Sequence, residues 1–140
     1  MKKVAVVFWS GTGNTAAMAD AVVKGAQAAG ADVTKLEASS FGAGDVDRYD
    51  AIAFGCPAMG SEQLEDSEFE PMFDSVKGSL SGRNIALFGS YGWGDCEWMR
   101  SWEEDCKAAG AVLVCDSVTA NEAPDDAAVE ACKALGAALA

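Results

Sequence analysis

Three apolar runs constrain this chain more than anything else in it: Val4-Ala5-Val6-Val7-Phe8, Ala51-Ile52-Ala53-Phe54-Gly55 and Ile85-Ala86-Leu87-Phe88-Gly89. Each is too short for a stable helix and lacks polar alternation, so each reads as a strand covered on both faces. Helical spacing fills the intervals. Asn14 to Ala29 places Met18, Ala21, Val22 and Ala26 on one side and stops at Gly30. Asp32 to Leu36 is a weaker strand, and Ala38 to Arg48 is a loop rich in Ser, Gly and Asp. Glu68 to Leu80 is helical, with Pro71 placing its regular part at or after that residue. Cys96 to Ala109 is a helix, Ala111 to Val118 a last strand, and Asp125 to Ala140 a last helix entered through Pro124. Strands alternating with helices predict an α/β fold: a doubly wound, five-stranded parallel sheet in the order 2-1-3-4-5, with helices on both faces. At 140 residues and 50% hydrophobic content, residues 1–140 are expected to form a single domain.

That strand order has a chemical consequence. Ligands of doubly wound sheets sit outside the carboxyl ends of the strands, where the strand order reverses. The segments leaving the three central strands are Ser10–Thr15, Cys56–Glu62 and Ser90–Asp95. The first, Ser10-Gly11-Thr12-Gly13-Asn14-Thr15, packs three hydroxyls, an amide and two Gly just before a helix. Backbone N–H groups and the helix dipole make such a turn an anion cradle. It holds no Lys, and Asn14 stands where a nucleotide-hydrolysing loop would carry one. The loop therefore suits a phosphate held permanently rather than one transferred.

In the second segment, Pro57-Ala58-Met59-Gly60-Ser61-Glu62, Met59 offers a polarisable thioether to a flat ring. Gly60 permits a peptide to take two orientations, and Glu62 offers an acceptor for a ring N–H. In the third, Ser90-Tyr91-Gly92-Trp93-Gly94, a Trp flanked by two Gly at a strand end makes a stacking platform for a planar ligand.

Bulk properties exclude other classes. A net charge of −12 repels nucleic acid and anionic lipid and favours partners with basic patches. There is no His, and the five Cys (Cys56, Cys96, Cys106, Cys115 and Cys132) form no C-x-x-C pair. Dithiol redox chemistry and zinc or iron–sulfur spacings are therefore not indicated, and no metal site is expected. A reducing cytoplasm is the expected location. No apolar run is long enough for a membrane span, and the run after Lys3 turns at Trp9, unlike a secretion signal. A phospho-receiver module would need carboxylates where Trp9-Ser10 and Gly55-Cys56 stand. A low-molecular-weight phosphatase would need an Arg in the loop after Cys56.

Taken together, Trp9 to Thr15, Gly55 to Glu62 and Leu87 to Asp95 resemble the short-chain flavodoxins, small FMN-binding electron carriers, most closely the type of anaerobic bacteria. Glu65 to Pro71 and Asn121 to Asp125 also look like stretches of that family. The resemblance implies a flavodoxin-like fold and a low-potential one-electron carrier. It implies non-covalent FMN cycling between semiquinone and hydroquinone, with no enzymatic activity of its own. By resemblance, Ser10, Thr12, Asn14 and Thr15 with the amides of Gly11 and Gly13 hold the phosphate, while Met59 and Trp93 sandwich the ring. Glu62 accepts from flavin N3–H, and the Gly60–Ser61 peptide turns its carbonyl toward N5. Ala58, Ser90 and Asn121 contact the ribityl chain or ring edge, with Tyr91, Gly92 and Gly94 completing the third loop. Pro57 cannot donate to the phosphate where some relatives carry Ser, so the first loop carries more of that task. Expected partners are reductases and ferredoxin-dependent enzymes with basic patches, met by a monomer. The alternative reading is an NAD(P)H-dependent FMN or quinone reductase of the same fold, although no segment for a second nucleotide is visible.

Overall fold

In the computed structural model, which describes residues 1–59 and 63–140, the three apolar runs form the centre of one parallel sheet. The strands are β1 (Lys3–Phe8), β2 (Asp32–Glu37), β3 (Ala51–Gly55), β4 (Asn84–Tyr91), β5 (Val112–Leu113) and β6 (Val118–Asn121). Their order is β2-β1-β3-β4-β5, with β6 also paired to β4. The helices are α1 (Asn14–Ala28), α2 (Phe69–Lys77), α3 (Glu97–Ala108) and α4 (Asp126–Leu139).

Strand residues alternate between two cores. Ala5, Val7, Ile52, Phe54, Ile85 and Leu87 face α2 and α3, where Trp102 packs edge to face on the stacked rings of Phe69 and Phe73. Val4, Val6, Ala51, Ala53, Ala86 and Phe88 face α1 and α4. Within the second layer, α1 and α4 press directly on each other. A Cβ on Gly25 of α1 would lie 2.0 Å from the Lys133 carbonyl oxygen of α4, and one on Gly136 would lie 2.1 Å from the Val22 carbonyl oxygen. Bare backbones thus meet at this helix crossing.

Three details depart from the sequence reading. The stretch Ala38 to Arg48 is not plain loop but holds two short 3₁₀ turns, Ala38–Ser40 and Ala43–Arg48. The second helix begins at Phe69, two residues before Pro71. Proline is tolerated there because first-turn N–H groups have no intrahelical acceptor. The expected strand Ala111 to Val118 is split. Ile85 pairs Leu113 and Phe88 pairs Val118, so two residues of β4 (86 and 87) oppose four (114–117) on the other side. The two-residue surplus interrupts the ladder. Because the surplus is even, the side chains keep their faces.

The entrance of α2 is capped by a carboxylate just before it in the chain. Glu65, 4% exposed, accepts from the Ser67 hydroxyl and from the N–H groups of Ser67, Glu68 and Phe69, the last three at 2.8–2.9 Å. Burial pushes its carboxyl up, but these four bonds outweigh burial and hold it below the usual carboxylate range. A folded-state value below the unfolded one adds stability above the unfolded pKa of about 4.3, and that contribution fades as pH falls through the folded value. Glu65→Gln is therefore expected to cost about 1 kcal/mol at pH 7, as other N-terminal cap losses do. Urea unfolding at pH 7 and pH 3.5 should show the gap between the two proteins narrowing in acid. A gap that widens in acid would reverse the sign of this argument.

Candidate functional site

The tips of β1, β3 and β4 are tied together beyond the regular ladder. Trp9 N–H donates to the Gly55 carbonyl (3.0 Å), Cys56 N–H to the Phe88 carbonyl (3.1 Å) and Ala58 N–H to the Ser90 carbonyl (2.9 Å). These bonds set the starting points of the three loops side by side. Glycine permits the closest approaches. A Cβ on Gly89 would fall 2.1 Å from the Cys56 carbonyl oxygen. That oxygen also accepts the buried Trp98 indole N–H at 3.2 Å.

Above the tips lies a cavity of about 510 Å³, lined by Trp9, Ser10, Gly11, Thr12, Asn14, Thr15, Pro57, Ala58, Met59, Ser90, Tyr91, Gly92, Glu122 and Ala123. Its size falls within the range of about 300–1,000 Å³ usual for small-molecule and cofactor sites. One wall is the glycine-rich loop before α1, whose Ser10 also borders a neighbouring cavity lined by Gly13 and Ala16. The Ser10 hydroxyl oxygen accepts from the Gly13 N–H (3.1 Å) and the Ala16 N–H (3.2 Å), so these donors already converge on an oxygen acceptor. Gly13 caps α1 with a left-handed backbone, φ 96°, that favours glycine. No acidic residue stands in the first turn of α1 to compete for its positive end. Thr15 and Ser90, both buried, share a hydroxyl–hydroxyl bond of 2.8 Å that joins the first loop to the third. Among the described residues, the lining contains no Lys or Arg; its one charged side chain is Glu122.

Most of the residues singled out from the sequence meet here, but not all. Gly13 faces the neighbouring cavity rather than the large one. Trp93, 66% exposed, and Gly94 stand outside the lining. Met59, at the rim, is 37% exposed. Asn121 ends β6 opposite Tyr91 and faces a groove against α4. Gly60, Ser61 and Glu62 lie outside the described residues. On either side of them, Met59 and Gln63 exchange two N–H···O bonds of 2.8 and 3.0 Å.

Sequence reasoning missed Trp9, Glu122 and Ala123 as lining residues. Trp9 was legible as a large ring at a strand tip, immediately before the glycine-rich turn. Glu122 and Ala123 were hidden by the merged last strand, because only the split lets β6 run beside the tip of β4. There the Glu122 N–H donates to the Tyr91 carbonyl at 2.7 Å, and Glu122 takes a left-handed backbone, φ 59°, uncommon for a residue other than glycine. Cys56, by contrast, is inert. Burial pushes its thiol up to about 12, so it stays protonated and packs as a small apolar group.

A cavity of this size walled by a glycine-rich loop without a cation, at the reversal point of a doubly wound sheet, suits the phosphate and flat ring of a flavin mononucleotide. Fold and site together define a small flavin-nucleotide electron carrier. The flavodoxin family model matches residues 6–136. The chain is 47% identical to a flavodoxin of Megasphaera elsdenii over 137 residues, 98% of each chain. It is 43% identical to a flavodoxin of Clostridium beijerinckii over 122 residues, 87% of this chain and 88% of the relative. The solution structure of two-electron reduced Megasphaera elsdenii flavodoxin superposes with a TM-score of 0.90 at 46% identity, covering 97% of both chains. The chain belongs to the flavodoxin family, and it is an FMN-binding electron carrier rather than an enzyme.

Proposed function

We propose that this flavodoxin is a low-potential, one-electron carrier whose non-covalent FMN lies in the 510 Å³ cavity, phosphate down on the first loop. When bound, FMN supplies the redox chemistry, accepting electrons singly. The chain supplies position and field. Ser10, Thr12, Asn14 and Thr15, with the amides of Gly11 and Gly13, hold the phosphate. Ser90 orients the Thr15 hydroxyl, and Pro57, Ala58, Tyr91 and Gly92 wall the slot. Met59 and Trp93 cover the two ring faces at the exposed edge. Asn121 and Gly94 shape the rim. The Gly60–Ser61 peptide and the Glu62 carboxylate serve the ring's N5 and N3 positions. The observation that carries the reading is the glycine- and hydroxyl-rich loop before α1, whose Ser10, Gly11, Thr12, Asn14 and Thr15 line a cavity with no Lys or Arg in its described lining.

The field argument supports a low potential. An added electron meets the phosphate and the Glu122 carboxylate without a compensating Lys or Arg in the described lining. At ~10 Å and an effective dielectric of ~20, each unit negative charge opposes it by about 1.7 kcal/mol before screening. That exceeds the ~0.5–1.5 kcal/mol net worth of one hydrogen bond. Electrostatics therefore sets the more negative couple, and loop hydrogen bonds trim it.

An acidic surface, net charge −12, suits redox partners that present basic patches, such as reductases and ferredoxin-dependent enzymes. It also disfavours self-association, consistent with a monomeric single domain over residues 1–140. All five cysteines are free, as expected in a reducing cytoplasm. No helix among the described residues is long and apolar enough to cross a membrane.

The test is a visible spectrum of purified protein and a titration with FMN, followed by redox titration. One FMN per chain, a yellow protein and two resolved one-electron steps are expected, with no steady oxidation of NADPH. Colourless protein that takes up no FMN would end the reading.

A further inference from the structure

We propose that Glu68, acting through the indole of Trp9, positions the phosphate loop, and so sets how much the phosphate contributes to FMN binding. The inference rests on the flavodoxin reading above and deepens it.

Trp9 is held from two sides. Its backbone N–H donates to the Gly55 carbonyl at 3.0 Å, which keeps its Cα at the tip of β1. Its indole Nε1–H donates to Glu68 Oε2 at 2.7 Å, the short separation usual for a charge-assisted bond. The phosphate loop then rests on the fixed ring. A Cβ on Gly11 would lie 3.0 Å from Trp9 Cη2 and 3.2 Å from Cζ3, so the loop's first glycine is pressed against the indole with little space between. Glu68 is itself anchored, because its own N–H donates to the buried Glu65 carboxylate at 2.8 Å. A line of contacts thus runs from Glu65 through Glu68 and the indole to Gly11, linking the entrance of α2 to the loop before α1.

The ring also has somewhere to go. Trp9 and Ser10 line both the large cavity and a neighbouring one of about 250 Å³, which Glu68 and Glu37 also line. Trp9 thus borders both. Without the Glu68 bond, it can turn into the smaller space and remove the surface on which Gly11 rests. The cradle would loosen at the phosphate end of the cavity, while the tip contacts at Cys56 and Ala58 would persist.

Charge and position predict opposite signs, which makes the proposal testable. Replacing Glu68 by Ala removes a negative charge from the neighbourhood of the loop, and charge alone would tighten the binding of an anionic phosphate. Positioning predicts weaker binding. Riboflavin, which has the ring but no phosphate, serves as the internal control.

The experiment is equilibrium dialysis of the purified protein against graded FMN or riboflavin, with bound flavin read by absorbance. Glu68→Ala is expected to weaken FMN about tenfold, equivalent to ~1.4 kcal/mol, and riboflavin less than about twofold. Glu68→Gln lacks the charge but retains an amide oxygen that can accept the indole N–H, and it should stay within about threefold of the parent for FMN. Trp9→Phe keeps a ring and loses the N–H. It is expected to repeat the selective FMN loss, and it tests the proposal independently of how Glu68→Ala folds. Unchanged or tighter FMN binding by Glu68→Ala, or equal losses for FMN and riboflavin, would overturn the proposal. Failure of the parent protein to bind FMN would instead overturn the flavodoxin reading, so the two failures are distinguishable.

Discussion

Gly136→Ala and Gly25→Ala are each expected to destabilise the protein by about 2–4 kcal/mol, a large effect for the addition of one methyl group. Intrinsic preference points the other way, since alanine in a helix interior is favoured over glycine by about 1 kcal/mol. Packing decides the sign. The new carbon would meet backbone, at 2.0 Å from the Lys133 oxygen for Gly25 and 2.1 Å from the Val22 oxygen for Gly136. Backbone in mid-helix has no rotamer by which to yield, so α1 and α4 must separate. Separation loosens the shared core of Met18, Val22, Cys132, Leu135 and Leu139. The two substitutions should also fall short of additivity, because helices already pushed apart by one methyl admit the second at lower cost. Urea unfolding of the two single variants and the double variant measures both points. A stabilised Gly136→Ala protein would mean that the crossing does not depend on bare backbone.

FMN itself is expected to be the largest single stabiliser. A ligand that binds only the folded state adds RT ln(1 + [L]/Kd), about 4.1 kcal/mol at a thousandfold excess over Kd. For a domain of this size that raises the melting temperature by about 10–15 °C. Thermal scans at increasing FMN should show the midpoint climbing with the logarithm of concentration, and riboflavin should give a smaller rise. A midpoint indifferent to FMN would remove the cavity as its binding place.

These expectations draw on features of unequal visibility in the sequence. The three buried strands were legible because runs such as Val4–Phe8 have one reading once helix length is excluded, and the sheet order followed from their alternation with helices. The phosphate loop was legible because Ser10 to Thr15 concentrates residue types that serve a common chemistry. The split of the last strand was not. Asp116-Ser117 does interrupt the apolar run after Val114-Cys115, but that the chain leaves the ladder and rejoins it at Val118 is a matter of register against β4, a tertiary property. Glu122 and Ala123 were missed for the same reason. Pro71 misled by one rule applied too far, because proline halts a helix in its interior and not in its first turn. The indole bond from Trp9 to Glu68 has no local signature, since it depends on how the chain after β3 returns past β1, whereas the capping by Glu65 reaches only two to four residues along the chain.

The two covering layers differ in the side chains that fill them. On the side of α2 and α3, rings of Phe54, Phe69, Phe73 and Trp102 fill the gap to the sheet. On the side of α1 and α4, much of the filling is alanine, valine and glycine contact. Reach follows from this asymmetry. A helix lying low on its sheet brings its leading amides close over the neighbouring strand tips, whereas one raised on aromatic stilts would carry them away. The small side chains beneath α1 therefore act as a shim: they fix the height at which the anion is gripped, and enlarging them would detune the grip from the far side of the molecule.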